Sequence, residues 1–255
     1  MKTAIKEKIR IEPKQPLLIE GLPGLGMVGR IATRYLMKKL KAEKFAYLYS
    51  PHFPYYVIVN KKGNARLLRG EFSYWRNSQG NDLVFFTGDS QAQTIEGQYE
   101  IAETILDFAK KSNVRAIITL GGYRKEAGEM PEVVATATDT EMLAKALKAD
   151  AATSPPGNPI VGTAGLLVGM AKFKGIPALC LLGETRGYLP DPKAAKSLLM
   201  VLQKMLNITV DLEDLDKEIR KSDKILEKMR QIEARRETYS KKMRKGDEGK
   251  TTYIS

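Results

Sequence analysis

The stretch from Pro16 to Leu40, PLLIEGLPGLGMVGRIATRYLMKKL, decides the fold. Its opening, Pro16 to Glu20, is a short apolar run of the kind that forms a buried strand. After it, Met27, Val28, Ile31, Ala32, Tyr35, Leu36 and Leu40 recur at helical spacing, so the segment reads as strand, glycine turn, helix. Gly24-x-Gly26-x-x-Gly29 stands where a dinucleotide-binding fingerprint would stand, with glycines letting the backbone approach a pyrophosphate at the helix N-terminus. That fingerprint also requires an acidic residue at the end of the second strand, roughly 20 residues on, to hold the ribose hydroxyls. Here the second strand, KFAYLYS, ends in Ser50-Pro51-His52; Glu43 precedes it and no other acid lies between Gly29 and Glu71. No Lys-Ser or Lys-Thr follows the glycines, so there is no P-loop either. The turn is read as structural, no cofactor is expected, and Gly24, Gly26 and Gly29 remain only as an alternative phosphate or nucleoside site.

The rest of the chain continues the alternation. YYVIVNKKGNARLLRGEFSYW reads as a hairpin turning at Lys61 to Asn64, with Gly63-Asn64 supplying positive φ. NDLVFFTGDS is a strand, and Ser90 with Gln93 fits a capping box for the helix whose face is Ile101, Ala102, Ile105, Phe108 and Ala109. VRAIITLGGY, VVATATD and IPALCLLGET are further strands. DTEMLAKALKA, GTAGLLVGMAKFKG and DPKAAKSLLMVLQKML are helices, the last with Pro192 in its first turn, while the prolines of TSPPGNPIVG mark a loop. This order predicts an α/β class, a three-layer α/β/α domain with a mainly parallel sheet over residues 1–210. From 211 to 245 dense alternating charge carries a narrow apolar stripe: Leu212, Leu215, Ile219, Leu226 and Met229, then Ile225, Met229, Ile232, Tyr239 and Met243. One long amphipathic helix is expected there, followed by a mobile polar tail over 246–255.

Composition sets limits on function. At 255 residues and 43% hydrophobic content the chain can bury a substantial core. The N-terminus is charged and no run approaches the roughly 20 apolar residues of a membrane span, so a cytoplasmic protein without a membrane partner is expected. Net charge is +12, yet the basic residues are spread through every segment and lack an interleaved aromatic platform, which argues against nucleic acid. With one cysteine, Cys180, and one histidine, His52, the chain cannot assemble a nitrogen and sulfur metal site of the usual type, and no metal is expected. Neither His52 nor Ser90 has a motif around it that makes a hydrolase triad, and Glu126, Glu129, Glu132 and Asp139 read as solvated loop charge. The loops GETRGYLPDP and PGNPIVGTAG lie where ligand crevices of open sheets form; Arg186 and Tyr188 there either read a ligand or, the preferred reading, hold neighbouring loops together.

Four motifs in order, GLPGLGMVG (Gly21 to Gly29), TLGGY (Thr119 to Tyr123), NPIVGTAGLLVGMAKFKGIPALCLLGET (Asn158 to Thr185) and GYLPDPKAA (Gly187 to Ala195), resemble the successive signatures of the PAC2 family, which includes proteasome assembly chaperones and their archaeal homologues. The resemblance runs from about Leu17 to Val210. It implies a phosphorylase-like fold without a catalytic constellation, and a non-enzymatic, ATP-independent assembly chaperone or adaptor. It further implies a homo-oligomer, a tetramer or pentamer, whose projecting C-terminal segments engage partners such as the α-subunits of the proteasome core particle. Docking of that kind uses a C-terminal hydrophobic-Tyr-any tripeptide; this chain ends Tyr253-Ile254-Ser255, with the tyrosine one place early. Partner-binding residues are accordingly Tyr253, Ile254 and Ser255, with Ile225, Met229, Ile232, Tyr239 and Met243 on the helix. Two alternatives stand beside this reading: a scaffold whose terminal helices co-assemble with a different small protein, and an enzyme or sensor binding a nucleoside or phosphate near Gly24 to Gly29 and Gly121-Gly122.

Overall fold

The computed structural model describes residues 1–78, 80–125, 130–225 and 227. The first strand, β1 (Ala4–Glu7), lies in what reads as a charged leader. Next come β2 (Leu17–Glu20), a single 3-10 turn (Leu25–Met27), α1 (Val28–Lys39) and β3 (Glu43–Tyr49). A small hairpin, β4 (Val57–Val59) and β5 (Ala65–Leu67), precedes β6 (Gly70–Trp75), β7 (Leu83–Gly88) and α2 (Ile95–Lys111). Then follow β8 (Ala116–Arg124), β9 (Val133–Ala137), α3 (Thr140–Lys148), β10 (Ala152–Thr153), α4 (Thr163–Lys174), β11 (Ala178–Thr185) and α5 (Pro192–Leu206). Met1–Leu212 forms one compact unit, and a separate one begins at Glu213 with helical residues 213–225. Met229, Ile232, Tyr239, Met243 and the tail residues Tyr253, Ile254 and Ser255 lie outside the described residues.

Nine strands form one sheet in the order β1-β3-β6-β7-β2-β8-β11-β9-β10. Parallel pairing runs through β7-β2-β8-β11 and joins β9 to β10, while β1-β3, β3-β6, β6-β7 and β11-β9 are antiparallel. The sheet is therefore mixed rather than mainly parallel. The reason lies in the connections: helical crossovers return the chain for a parallel strand, whereas β6 reaches β7 through a short loop that permits only an antiparallel neighbour. The order also removes the dinucleotide topology. The strand after α1, β3, is separated from β2 by β6 and β7 and is antiparallel to β6, so no ribose-binding position exists beside the glycine turn.

Register separates the two faces. Leu18, Val84, Ile117, Ala178, Phe86, Cys180 and Leu182 point to α2 and α4, where Phe45, Phe72 and Phe108 close the core with ring centroids 4.6 Å apart for Phe72 and Phe108. Ile19, Phe85, Ile118, Leu120, Leu179 and Leu181, also buried, fill the other face beneath α1 and α5. Two local expectations need correction. The residue capping α2 is Thr94, whose hydroxyl accepts from Gly97 N at 3.0 Å, and not Ser90, whose hydroxyl donates to the Gln91 carbonyl. In the β4-β5 turn only Gly63 has positive φ, because Asn60 Oδ1 accepts from the backbone of both Lys62 and Asn64 and shapes the turn itself.

The approach of α1 to the sheet is set by glycine. A Cβ on Gly29 would lie 2.0 Å from the Leu120 carbonyl oxygen, and one on Gly21 would lie 2.2 Å from Thr33 Oγ1. Since Leu120 O is backbone of a central strand, no rotamer change relieves the clash. Gly29→Ala is expected to lower stability by on the order of 3 kcal/mol or more, read from the denaturant midpoint. Gly169→Ala, on the open side of α4 with nothing within 4 Å, is expected to raise it by about 0.5–1 kcal/mol. Equal effects at the two sites would contradict the packing role of Gly29.

Candidate functional site

The four motif segments meet at the carboxyl ends of β2, β8 and β11. Gly24 is extended, Gly26 and Met27 are both left-handed (φ 58 and 53), and α1 begins at Val28. The turn is locked into its neighbours on every side. A Cβ on Gly26 would meet Thr185 Oγ1 at 2.6 Å, and one on Gly122 of β8 would meet the Leu25 carbonyl at 2.6 Å. Gly26 N donates to Gly187 O (3.4 Å), Met27 N to Gly24 O (2.9 Å), and Gly26 O accepts from Asp191 N (2.8 Å). Asp191 itself caps α5 through Ala194 N and accepts from Thr185 Oγ1 at 2.8 Å. The N–H groups of Gly26 and Met27 are thus engaged within the protein, and a carboxylate sits beside Gly26, where it would repel an anion. Gly26 and Gly29 stand where a side chain would clash, whereas a Cβ on Gly24 would meet only Gln91 Nε2, at 3.7 Å.

A second clamp comes from Gln91. Its Nε2 donates to Pro23 O at 2.7 Å, while its Oε1 accepts from Thr163 N at 3.0 Å and so caps α4, which has no cap of its own at Gly162. Thr163 Oγ1 continues the chain to Gln98 Oε1 at 2.8 Å, and Gln98 Nε2 donates to Ala92 O. The PGNPIVGTAG loop is in this way fastened to the glycine turn. On the other side, the Arg124 guanidinium lies over the largely exposed Tyr188 ring at 5.1 Å, which links the end of β8 to the loop after β11. Glu184 accepts from Glu132 N and pairs with Lys125 at 2.8 Å. Burial pushes Glu184 up, but Lys125 and the Glu132 N–H outweigh it, and the carboxyl ends below its usual range. Leu25, Tyr188, Leu189 and Val161 remain exposed at these loops.

The single histidine is structural in its contacts: His52 Nε2 meets Glu100 Oε2 at 2.9 Å and Nδ1 meets Thr94 Oγ1 at 3.2 Å. Asp139 caps α3 through Met142 N, and Glu132 pairs with Lys125, whereas Glu126 and Glu129 lie outside the described residues. Among the described residues no group of His, Cys, Asp and Glu could hold a metal ion. A cavity of about 360 Å³ exists at the opposite end of the sheet, between Leu17, Leu83, Arg115, Met142 and Met205, away from the motif loops. Gln91, Thr163 and Asp191 are the residues that the sequence did not single out; only Asp191, directly before Pro192, carried a cap signal.

One buried acid lies under the turn. Glu20, at the end of β2, faces Thr119 and Phe86 on the neighbouring strands, and Thr119 in turn pairs with Cys180. Glu20 Oε1 accepts from Leu22 N at 3.0 Å, and Oε2 has no hydrogen-bond partner among the described residues. Burial drives its carboxyl up to about 8, with the Leu22 N–H opposing, and drives the Cys180 thiol up to about 12, so both groups are neutral near pH 7. The unfolded chain ionises Glu20 near pH 4.5 and the folded chain only near 8, so between those values the unfolded state binds fewer protons and stability falls as pH rises. Glu20→Gln has no proton to lose. Its stability relative to the parent is expected to rise by on the order of a few kcal/mol between about pH 5 and about pH 8, measured by urea unfolding. A difference that stays flat with pH would contradict neutral burial of Glu20.

Comparison with known proteins gives the same grouping. Residues 18–230 match the PAC2 family. The uncharacterized protein MJ1210 of Methanocaldococcus jannaschii is 38% identical over 234 residues, 90% of this chain and 89% of that protein. The crystal structure of Pyrococcus furiosus PbaB, an archaeal proteasome activator, superposes with a TM-score of 0.86 at 37% identity, covering 90% of this chain and 99% of that one. Pyrococcus furiosus PbaA, an archaeal homolog of proteasome-assembly chaperone, does so with a TM-score of 0.74 at 27% identity, covering 97% and 99%. With its four motif segments interlocked at one end of the sheet and the family match spanning most of its length, this chain belongs to the PAC2 family.

Proposed function

We propose that this chain is a non-enzymatic, nucleotide-independent adaptor that binds a proteasome core particle, as an activator or assembly chaperone, and that it works as a homo-oligomer. The observation that carries this reading is the 37% identity to an archaeal proteasome activator over 99% of that chain. The loop network supports it from the chemical side: Gln91, Thr163, Thr185 and Asp191 spend their polar groups on one another and on the backbone, and Leu25, Val161, Tyr188 and Leu189 are exposed beside them. Such a surface suits contact with protein. In this proposal the domain over 1–210 and the helix over 211–245 together hold the oligomer, and the tail over 246–255 docks on the α-subunits through Tyr253, Ile254 and Ser255. Several tails on one oligomer raise each other's effective concentration, so individually weak docking becomes firm.

Deleting residues 246–255 is the test. The truncated chain is expected to keep its oligomer mass by light scattering and to lose at least tenfold in affinity for an archaeal proteasome core particle. Unchanged affinity would overturn docking by the tail; a core particle that never binds the full chain would overturn the reading as a whole.

A further inference from the structure

The β4-β5 hairpin stands apart from the main sheet as a two-stranded sheet of its own. Its register pairs Val57 with Leu67, Ile58 with Arg66 and Val59 with Ala65. Because side chains alternate between faces, Val57, Val59, Ala65 and Leu67 share one face, and Ile58 and Arg66 share the other. The second face is the attached one. Ile58 packs against the core, and Arg66 makes a two-pronged ion pair with Asp89 at the end of β7, at 2.6 and 3.0 Å. Asp89 also accepts from Arg69 N, so one carboxylate anchors both the arm and its return. Two three-residue strands are marginal by themselves, and this anchor is what holds the hairpin in a fixed pose.

The first face is bare. Val57 is 50% exposed, Val59 60% and Leu67 52%, and the two residues leading into β4, Tyr55 and Tyr56, are 99% and 58% exposed. The strand side chains of this face leave on the order of 300 Å² in water, and Tyr55 and Tyr56, which precede the ladder, add about as much again beside it, so the exposed area reaches the upper range of a monomer's largest apolar patch. That approaches the about 800 Å² each partner contributes to a stable interface of standard size. The face carries no charged side chain. Arg66 and Arg69 are already neutralised by Asp89 and Glu71, and the basic residues Lys61 and Lys62 belong to the turn at the tip. A nucleic acid or an acidic protein would find no cation on the face itself, while an identical apolar face is complementary to it.

Resting on the reading of the chain as a homo-oligomer, we propose that this face packs on the same face of a second copy of the chain, in an isologous contact. Turned antiparallel, the two hairpins place their Lys61-Lys62 tips at opposite ends, so like charges do not meet. A contact of this symmetry builds dimers and, through a second surface, tetramers; it cannot by itself close a five-membered ring.

Two charged double variants test the contact: Val59→Glu with Leu67→Glu, and Val59→Lys with Leu67→Lys. Both positions are exposed, so thermal midpoints are expected to stay within about 3 °C of the parent. By native mass spectrometry at micromolar concentration each variant alone is expected to fall to half the parent assembly mass or less. Their equimolar mixture is expected to restore the parent mass, with the two variants alternating across the contact. Restoration by mixing would not follow from a mere loss of folding. Unchanged mass of both variants, or a mixture that stays dissociated, would overturn the hairpin contact while leaving the oligomer reading intact. A parent chain that is monomeric would overturn both. Unchanged oligomer mass combined with lost binding to the proteasome core particle would assign the face to that partner and likewise overturn the self-contact.

Discussion

The fold depends on one close approach, the backbone of α1 at Gly29 against the Leu120 carbonyl of β8. A helix that near a sheet can carry no side chain at the crossing, and the turn delivering it must bend sharply enough to put two successive residues, Gly26 and Met27, in the left-handed region. Everything else at that end of the sheet is arranged around the bend. Gly122 makes room for the Leu25 carbonyl, Asp191 accepts the positive end of α5 while its backbone ties to Gly26, and Gln91 bridges the turn to the start of α4.

This arrangement explains why a sequence with three spaced glycines need not bind a nucleotide. A phosphate-binding loop presents free N–H groups and a positive potential; here the N–H groups of Gly26 and Met27 are engaged and a carboxylate stands beside them. Neutral burial of Glu20 one residue before the turn fits the same picture, since an ion there would be desolvated without a counter-charge. The result is an interlocked set of loops with Leu25, Val161, Tyr188 and Leu189 exposed among them, while Arg66–Asp89 anchors the hairpin that carries a second group of exposed apolar side chains.

Much of the architecture was legible in the sequence because the signals were local. The strand-turn-helix of Pro16 to Leu40, the proline at the start of α5 and the apolar stripe of α2 follow from periodicity and capping chemistry. What escaped was non-local. β1 and β10 are strands only because a neighbour offers them hydrogen bonds, and their residues carry little intrinsic preference. Whether β6 and β7 run antiparallel depends on connection length across the sheet, which hydrophobic patterning does not encode. Thr94 caps α2 in place of Ser90, because the chain from Ser90 to Gln93 is held back by Gln91 and by His52 O accepting from Gln93 N. At the candidate site the glycines were visible, but Gln91 was not: a glutamine in a loop gives no sign that it joins two segments about seventy residues apart in each direction.

The central claim is that the PAC2 domain of this chain serves binding rather than nucleotide chemistry. Calorimetric titration of the full chain into an archaeal proteasome core particle, with and without millimolar ATP, ADP or NAD, tests it most directly. The account predicts binding with the same affinity in every case and no heat from nucleotide added to the chain alone. Binding that requires a nucleotide, or an affinity that moves tenfold or more with one, would contradict it.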